Sequence, residues 1–199
     1  MKHAATLKDG RQVVIRDMQP GDFDRSLTFF RELPPEDRTY LRFDVTKPDL
    51  VRARIVDVET GRVKRLVALE GDRIVADGSL ELAGHGWGER VAEIRLIVAR
   101  PYQRLQLGSL LARELFFLAA SHKVERVVAR FMSPQEGARR MLRRLGFDEE
   151  FTIPKHVVDQ EGRWQDMTIV RCNLEALWQQ METLLDDEDW KAHYGGGRE

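Results

Sequence analysis

The sequence predicts an α+β fold built on a mainly antiparallel sheet. Three observations carry that reading. Three strand-like segments, 62–70, 73–82 and 89–98, follow one another with the turn signals "GD" and "GHGWG" between them. Helical patterns are inserted between runs of strands and do not alternate with every strand. The best-marked helix, "SPQEGARRMLRRLGF", is followed by two further strands flanking "DQEG".

Each element has a local reason. The turn "KDG" leads into a first strand, Arg11–Met18, and "PGDFDRSLTFFREL" then reads as a helix with Asp22 at its N-cap. "PPEDRTYLRF" and "KPDLVRARIVDV" open on prolines suited to a first helical turn, so residues 20–58 are helical in short pieces. After the three-strand meander, "VARPYQRLQLGSLL" (98–111) leaves a strand and enters a helix over Ser109–His122, with an apolar stripe of Leu111, Leu115, Leu118 and Ala119. "VERVVARFM" (124–132) is a nearly continuous apolar strand. In the next helix Ser133 is the expected N-cap, Pro134 sits at N1 and Glu136 completes a capping box; Ala138, Met141, Leu142 and Leu145 share one face, and Gly146 ends the helix. Strands over Phe151–Val158 and Trp164–Cys172 follow. Asn173 caps a last amphipathic helix carrying Leu174, Leu177, Trp178, Met181 and Leu185, ahead of a polar, glycine-rich tail. The expected organisation is a domain over 1–172 and a helix with tail over 173–199. The stripe on that helix packs on the domain or on a second copy, which makes a homodimer one expected assembly.

Composition removes several classes of function. With 32 basic and 33 acidic residues, the formal net charge is −1, which gives no reason to expect nucleic acid or an anionic membrane as partner. No run of about 18 apolar residues exists to span a membrane. The opening stretch "MKHAATLKDG" lacks a signal-peptide core, and the single cysteine, Cys172, excludes an internal disulfide; both fit a cytoplasmic protein. The five histidines show no metal spacing, so no metal is expected.

The element order, taken with two motifs, resembles the GNAT family (GCN5-related N-acetyltransferases). The family's pyrophosphate loop, Q/R-x-x-G-x-G/A after a strand ending in Val, is similar to the window Gln103, Arg104, Leu105, Gln106, Leu107, Gly108. Its later helix ends in Gly-Phe, as Gly146 and Phe147 do. "AEIRLIV" and "YLRFD" look like the branch that acetylates protein lysines. The resemblance implies a three-layer α/β/α fold around a central, mainly antiparallel twisted sheet of about six to seven strands, plus the C-terminal helix. It implies an acyl-CoA-dependent N-acetyltransferase moving an acetyl group from acetyl-CoA to a primary amine, on a small molecule or a protein lysine. Two departures motivate an alternative, a non-catalytic acyl-CoA-binding regulatory or sensor module: Gln106 replaces the first loop glycine, and Leu142 falls where many members carry a tyrosine that serves as general acid.

The resemblance and the chemistry together nominate residues. Amides from Arg104 through Leu105, Gln106, Leu107 and Gly108 to Ser109 can converge on a diphosphate at a helix N-terminus, although an ordinary strand-to-helix corner has the same outline. Gln103 opens that window, backbone groups near Ile97 and Val98 would orient the pantetheine arm, and Gln135 stands where the family has asparagine. A lysine amine, with a pKa near 10.4, must lose a proton before it attacks a thioester. Glu93, in the matching strand position, is the candidate base; the competing reading pairs it with Arg95 or a cross-strand cation. Glu81 is its backup. If "GHGWG" closes the hairpin symmetrically, Glu81 lies nearly opposite Val91 and diagonal to Glu93, about 7–8 Å away. Tyr40, Arg42 and Phe43, with Leu41, are acceptor-site candidates by resemblance; core packing competes for the apolar ones. Arg139, Arg140, Arg143 and Arg144 form a basic helix face, more simply read as solvated. Cys172 reads as a buried structural thiol.

Overall fold

The structure, a computed structural model, describes residues 2–177. Eight strands form one sheet: β1 (Lys2–Thr6), β2 (Gln12–Asp17), β3 (Val63–Glu70), β4 (Arg73–Leu82), β5 (Val91–Val98), β6 (Arg126–Met132), β7 (Glu149–Val158) and β8 (Trp164–Asn173). Their order is β1-β2-β3-β4-β5-β6-β8-β7, and every neighbouring pair is antiparallel except β5 with β6. The sheet holds one strand more than the upper expectation. The addition is β1, "KHAAT", an edge strand without a run of large apolar residues. Its pairing with β2, Lys2↔Arg16 through Thr6↔Gln12, supplies the order that its sequence does not advertise.

Helices cover both faces, giving the expected three layers. On one face α4 (Leu107–Ser121) and α5 (Glu136–Arg144) close the larger core, in which Leu107, Leu111 and Leu115 meet Leu66, Leu80, Ile94 and Val127. Gly78 on β4 permits this approach: a Cβ there would stand 3.0 Å from the Leu111 side chain. On the other face α1 (Phe23–Glu32) and α3 (Pro48–Glu59) bury Phe29, Phe30 and Ile55 against Val67, Leu69 and Ile74, with the short α2 (Pro35–Arg38) between them in the chain. Leu174 and Leu177 are buried in the larger core, so the chain just beyond residue 172 packs with the domain. The expectations for Trp178, Met181, Leu185 and the tail lie outside the described residues.

Three local expectations are corrected. Ser133 does not cap α5. Its N–H donates to the Asp166 carbonyl and its hydroxyl lies 2.9 Å from that of Thr168, so it prolongs the β6–β8 pairing, and the helix starts at Glu136 behind Gln135. Asp22 stands at the N-cap of α1 without capping it, because Arg16 takes its carboxylate at 2.6 and 2.7 Å. The β4–β5 connection does not close symmetrically about "GHGWG": the register runs Leu82↔Ala92 and Glu81↔Glu93, which sets the two glutamates directly opposite each other.

Candidate active site

The site begins where two strands part. β5 and β6 run parallel for three pairs only, Val91↔Arg126, Ala92↔Val127 and Glu93↔Val128. Beyond Glu93 both strands continue without pairing, so the sheet splits into a wedge. The Ala99 N–H bonds the Val75 carbonyl, and antiparallel pairs alternate which residues face the partner strand. Ile97 therefore turns its backbone groups to β4, while Leu96 and Val98 turn theirs to the wedge. Of the two residues expected to orient a pantetheine arm, Val98 turns its backbone to the wedge and Ile97 turns its own to β4. A cavity of about 230 Å³ fills the wedge, lined by Glu93–Leu96 of β5, Ala129–Met132 of β6, Tyr40–Arg42, and Met141 and Leu142 of α5.

The loop from β5 to α4 stands at one end of this wedge. Arg104 and Gln106 both adopt left-handed backbone, with φ of 63° and 70°. Gln106 thus takes the conformation for which the family's glycine is suited. The surroundings hold it there. The Gln103 side chain donates to the Val98 carbonyl at 2.9 Å, the Tyr102 hydroxyl meets Glu70 at 2.7 Å, and the Lys8 N–H reaches the Leu105 carbonyl at 3.4 Å. The amides of Leu107, Gly108 and Ser109 are in the first turn of α4, where no intrahelical acceptor exists. They point outward at the positive end of a 15-residue helix. Gly108 also admits α5: a Cβ there would lie 3.2 Å from the Met141 sulfur. Free amides in a fixed array, beside a wedge with unpaired strand edges, fit a diphosphate joined to a peptide-like arm. Gln103 contributes by closing the loop, since its amide is committed to Val98.

At the wedge's apex, carboxylates and guanidinium groups meet. Glu93, 11% exposed, is faced by Arg95 at 3.4 Å, Arg130 at 3.4 Å and Arg42 at 3.8 Å. Glu81 receives Arg95 at 2.7 Å and lies 3.5 Å from Arg42. Burial raises the Glu81 carboxyl above its usual range, and the charge of Glu93 raises it further; Arg42 and Arg65 act in the opposite sense. Behind this pair Asp77 accepts from both Arg54, at 2.8 Å, and Arg65, at 2.7 Å. Burial draws Arg54 down to about 10 despite the attraction of Asp77. Glu93 therefore lines the cavity and is ion-paired with Arg95, the pairing that the competing reading expected.

The remaining candidates sort by position. Tyr40, Leu41 and Arg42 line the cavity; Phe43 is 50% exposed and is not part of its wall. Their segment is pinned by the β7–β8 turn, where Gln160 donates to the carbonyls of Leu41 and Phe43 at 3.3 and 3.2 Å. Gln135 lines the cavity with its side-chain oxygen accepting from the Met132 N–H at 2.8 Å. Leu142 is buried in the cavity wall. On the basic face of α5, Arg139 and Arg143 both pair with Glu150 at 3.1 Å. Cys172 is buried, and burial pushes its thiol up to about 12. Sequence reasoning missed Arg130, although a single charge inside the apolar run "VVARFM" was a usable signal. It also missed Gln160, which nothing local distinguishes. Among the described residues no cluster of side chains has the make-up of a metal site, and no helix is long and apolar enough to cross a membrane.

Comparison with known proteins follows this geometry. Residues 27–147 match the acetyltransferase (GNAT) family. An acetyltransferase of the GNAT family from Streptococcus pneumoniae superposes with a TM-score of 0.69 at 16% identity, over 81% of this chain and 99% of that one. The yncA acetyltransferase of Salmonella typhimurium, solved with acetyl-CoA, gives 0.69 at 21% identity, over 81% and 94%. Mycobacterium smegmatis RimJ, in complex with CoA-disulfide, gives 0.72 at 16% identity, over 92% and 93%. No curated protein sequence matches the chain significantly.

Proposed function

The chain belongs to the acetyltransferase (GNAT) family, and from that premise we propose that it moves an acetyl group from acetyl-CoA to a primary amine. The observation that carries the reading is the wedge: β5 and β6 part after three pairs around a cavity that Glu93 lines, and the free amides at the head of α4 stand beside it, with Gly108 against Met141 of the cavity wall. Acetyl-CoA supplies the activated acetyl group; every other task falls to this chain. The amides of Leu107, Gly108 and Ser109 hold the diphosphate. The wedge-facing backbone of Leu96 and Val98 aligns the arm as an added strand would. Apolar walls from Leu96, Met141 and Leu142 exclude water. Glu93 accepts the amine's proton, directly or through water, with Glu81 across the strand pair as its partner. Holding the two reactants in line supplies a share of the rate on the order of several kcal/mol. Leu142 has no proton to give, so the departing sulfur is protonated by water, which a thiol of pKa near 8.5 tolerates.

The test is direct. CoA at 100 times its Kd should stabilise the fold by about 2.7 kcal/mol, and acetyl-CoA should be consumed with at least one amine of a broad panel. Absence of CoA binding at millimolar ligand would remove the reading; binding without turnover across the panel would favour the sensor module.

A further inference from the structure

We propose that the acceptor carries a carboxylate beside its amine, and that Arg42 and Arg130 receive this carboxylate while Glu93 faces the amine. The inference rests on the acetyl-transfer reading above and names its substrate class. Three guanidinium groups, Arg42, Arg95 and Arg130, line the same cavity as Glu93 and come from three different places: the segment after α2, β5 and β6. They are not equally engaged. Arg95 is committed to Glu81 at 2.7 Å. Arg42 approaches Glu81 and Glu93 only to 3.5 and 3.8 Å, and Arg130 approaches Glu93 only to 3.4 Å. Charge-assisted hydrogen bonds to carboxylate close to about 2.7–2.9 Å. Two guanidinium groups on separate walls of one cavity therefore keep donors for another anion.

The charge balance points the same way. At the apex Arg42, Arg95 and Arg130 face two carboxylates, Glu81 and Glu93, and behind them Arg54 and Arg65 share the single carboxylate of Asp77. The cluster holds five guanidinium groups against three carboxylates. An acceptor bearing only positive charge, such as a polyamine or a lysine-rich peptide, would add to that excess. An amino acid compensates it: its carboxylate completes the open donors, and its amine, once deprotonated, is neutral when it reacts. The apolar walls at Leu41, Val157 and Met167 suit an apolar side chain. In the reaction the amine nitrogen bonds the acetyl carbon, the carbon–sulfur bond breaks, the amine proton passes to Glu93, and the sulfur leaves with the bonding pair as CoA thiolate.

The test compares leucine, leucinamide and isoamylamine as acceptors with acetyl-CoA, beside a lysine-rich peptide and spermidine. Leucine should exceed leucinamide in kcat/KM by about 10- to 100-fold, the usual worth of a charged hydrogen-bonded pair. Arg42→Gln and Arg130→Gln should each bring that ratio toward one, and Arg130→Lys should restore part of it. A second readout does not depend on turnover: calorimetry of N-acetylleucine and N-acetylleucinamide with the CoA-loaded protein should show the same selectivity and the same loss in both glutamine variants. Selective binding of the acid without turnover would uphold the carboxylate site at Arg42 and Arg130 while sinking the acetyl-transfer reading and, with it, the acceptor's identity. Equal handling of acid and amide in both experiments, or preference for the peptide or spermidine, would overturn it.

Discussion

Glu93→Gln is expected to lower kcat by about 10²- to 10⁴-fold, the range for removing a general base. At 1.36 kcal/mol per tenfold this is roughly 2.7–5.4 kcal/mol of transition-state stabilisation. The structure places the result toward the smaller end. Glu81 stands directly opposite in the β4–β5 register, so a second carboxylate remains across the strand pair, against the same Arg95 and Arg42. Its proton affinity is raised first by burial and then by the charge of Glu93. Removing that charge lets Glu81 ionise at lower pH. The residual activity of Glu93→Gln should therefore follow the ionisation of Glu81, at lower pH than Glu81 itself ionises in the wild type, and the double variant with Glu81→Gln should lose both that limb and the remaining rate. The assay is release of CoA thiol with a chromogenic disulfide, using the best acceptor of the panel. Cys172 adds no background, since it is the chain's single cysteine, is buried, and has its thiol pushed up to about 12. CoA affinity should be unchanged, because the loop amides are untouched. Full kcat in both single variants across about pH 6–9 would refute the general-base argument and leave the fold standing.

Three other outcomes are expected. Gly108→Pro deletes a free amide in the first turn of α4 and crowds the flexible Met141 side chain, whose sulfur would stand 3.2 Å from the new Cβ, so calorimetry should show CoA affinity reduced at a modest cost in stability. Gly108→Ala, which crowds Met141 but keeps the amide, is the control; equal affinity in the two variants would take the loop amide out of phosphate binding. Gly146→Ala forces a side chain onto φ of +84° and within 2.7 Å of Leu177 Cδ1, which should cost roughly 2–4 kcal/mol and lower Tm by several degrees; an unaltered Tm would mean that the chain after β8 does not pack there. The raised carboxyl of Glu81 contributes stability that is present below its ordinary 4.5 and is lost as pH rises through its folded value. Denaturant unfolding should then show Glu81→Gln gaining on the wild type from acid to neutral pH, and a pH-independent difference would contradict the shift.

The sheet's central strands were legible because each carries enough apolar residues to declare a buried face. β1 was not, because "KHAAT" earns its place only through pairing with β2. The capping box at Ser133 failed for a tertiary reason: the β6–β8 ladder and Thr168 compete for the groups that a cap would use. The Glu81–Glu93 register depended on a turn whose asymmetry no residue type announces. The candidate site was legible as a list of residues and not as a space. Glu93, Arg42, Tyr40 and Gln135 meet around one cavity only because β5 and β6 separate after three pairs, and the point of separation is set by the whole sheet.

Gln106 joins these two levels. Its sequence position argued against a phosphate loop, since glycine is the residue that reaches left-handed backbone at low cost. The chain adopts that backbone regardless, at Gln106 and again two residues earlier at Arg104. Each such residue costs on the order of 1–2 kcal/mol. Strain of this kind persists only where the surroundings over-determine it, and here Gln103, Tyr102 and the Lys8 N–H all pin the loop. An unconstrained corner between a strand and a helix would relax to negative φ at both positions. A loop tied down at three points in a shape that its own residues disfavour, with outward amides at the head of a long helix, fits the diphosphate role proposed for it, because the pins and not the residue type supply the shape.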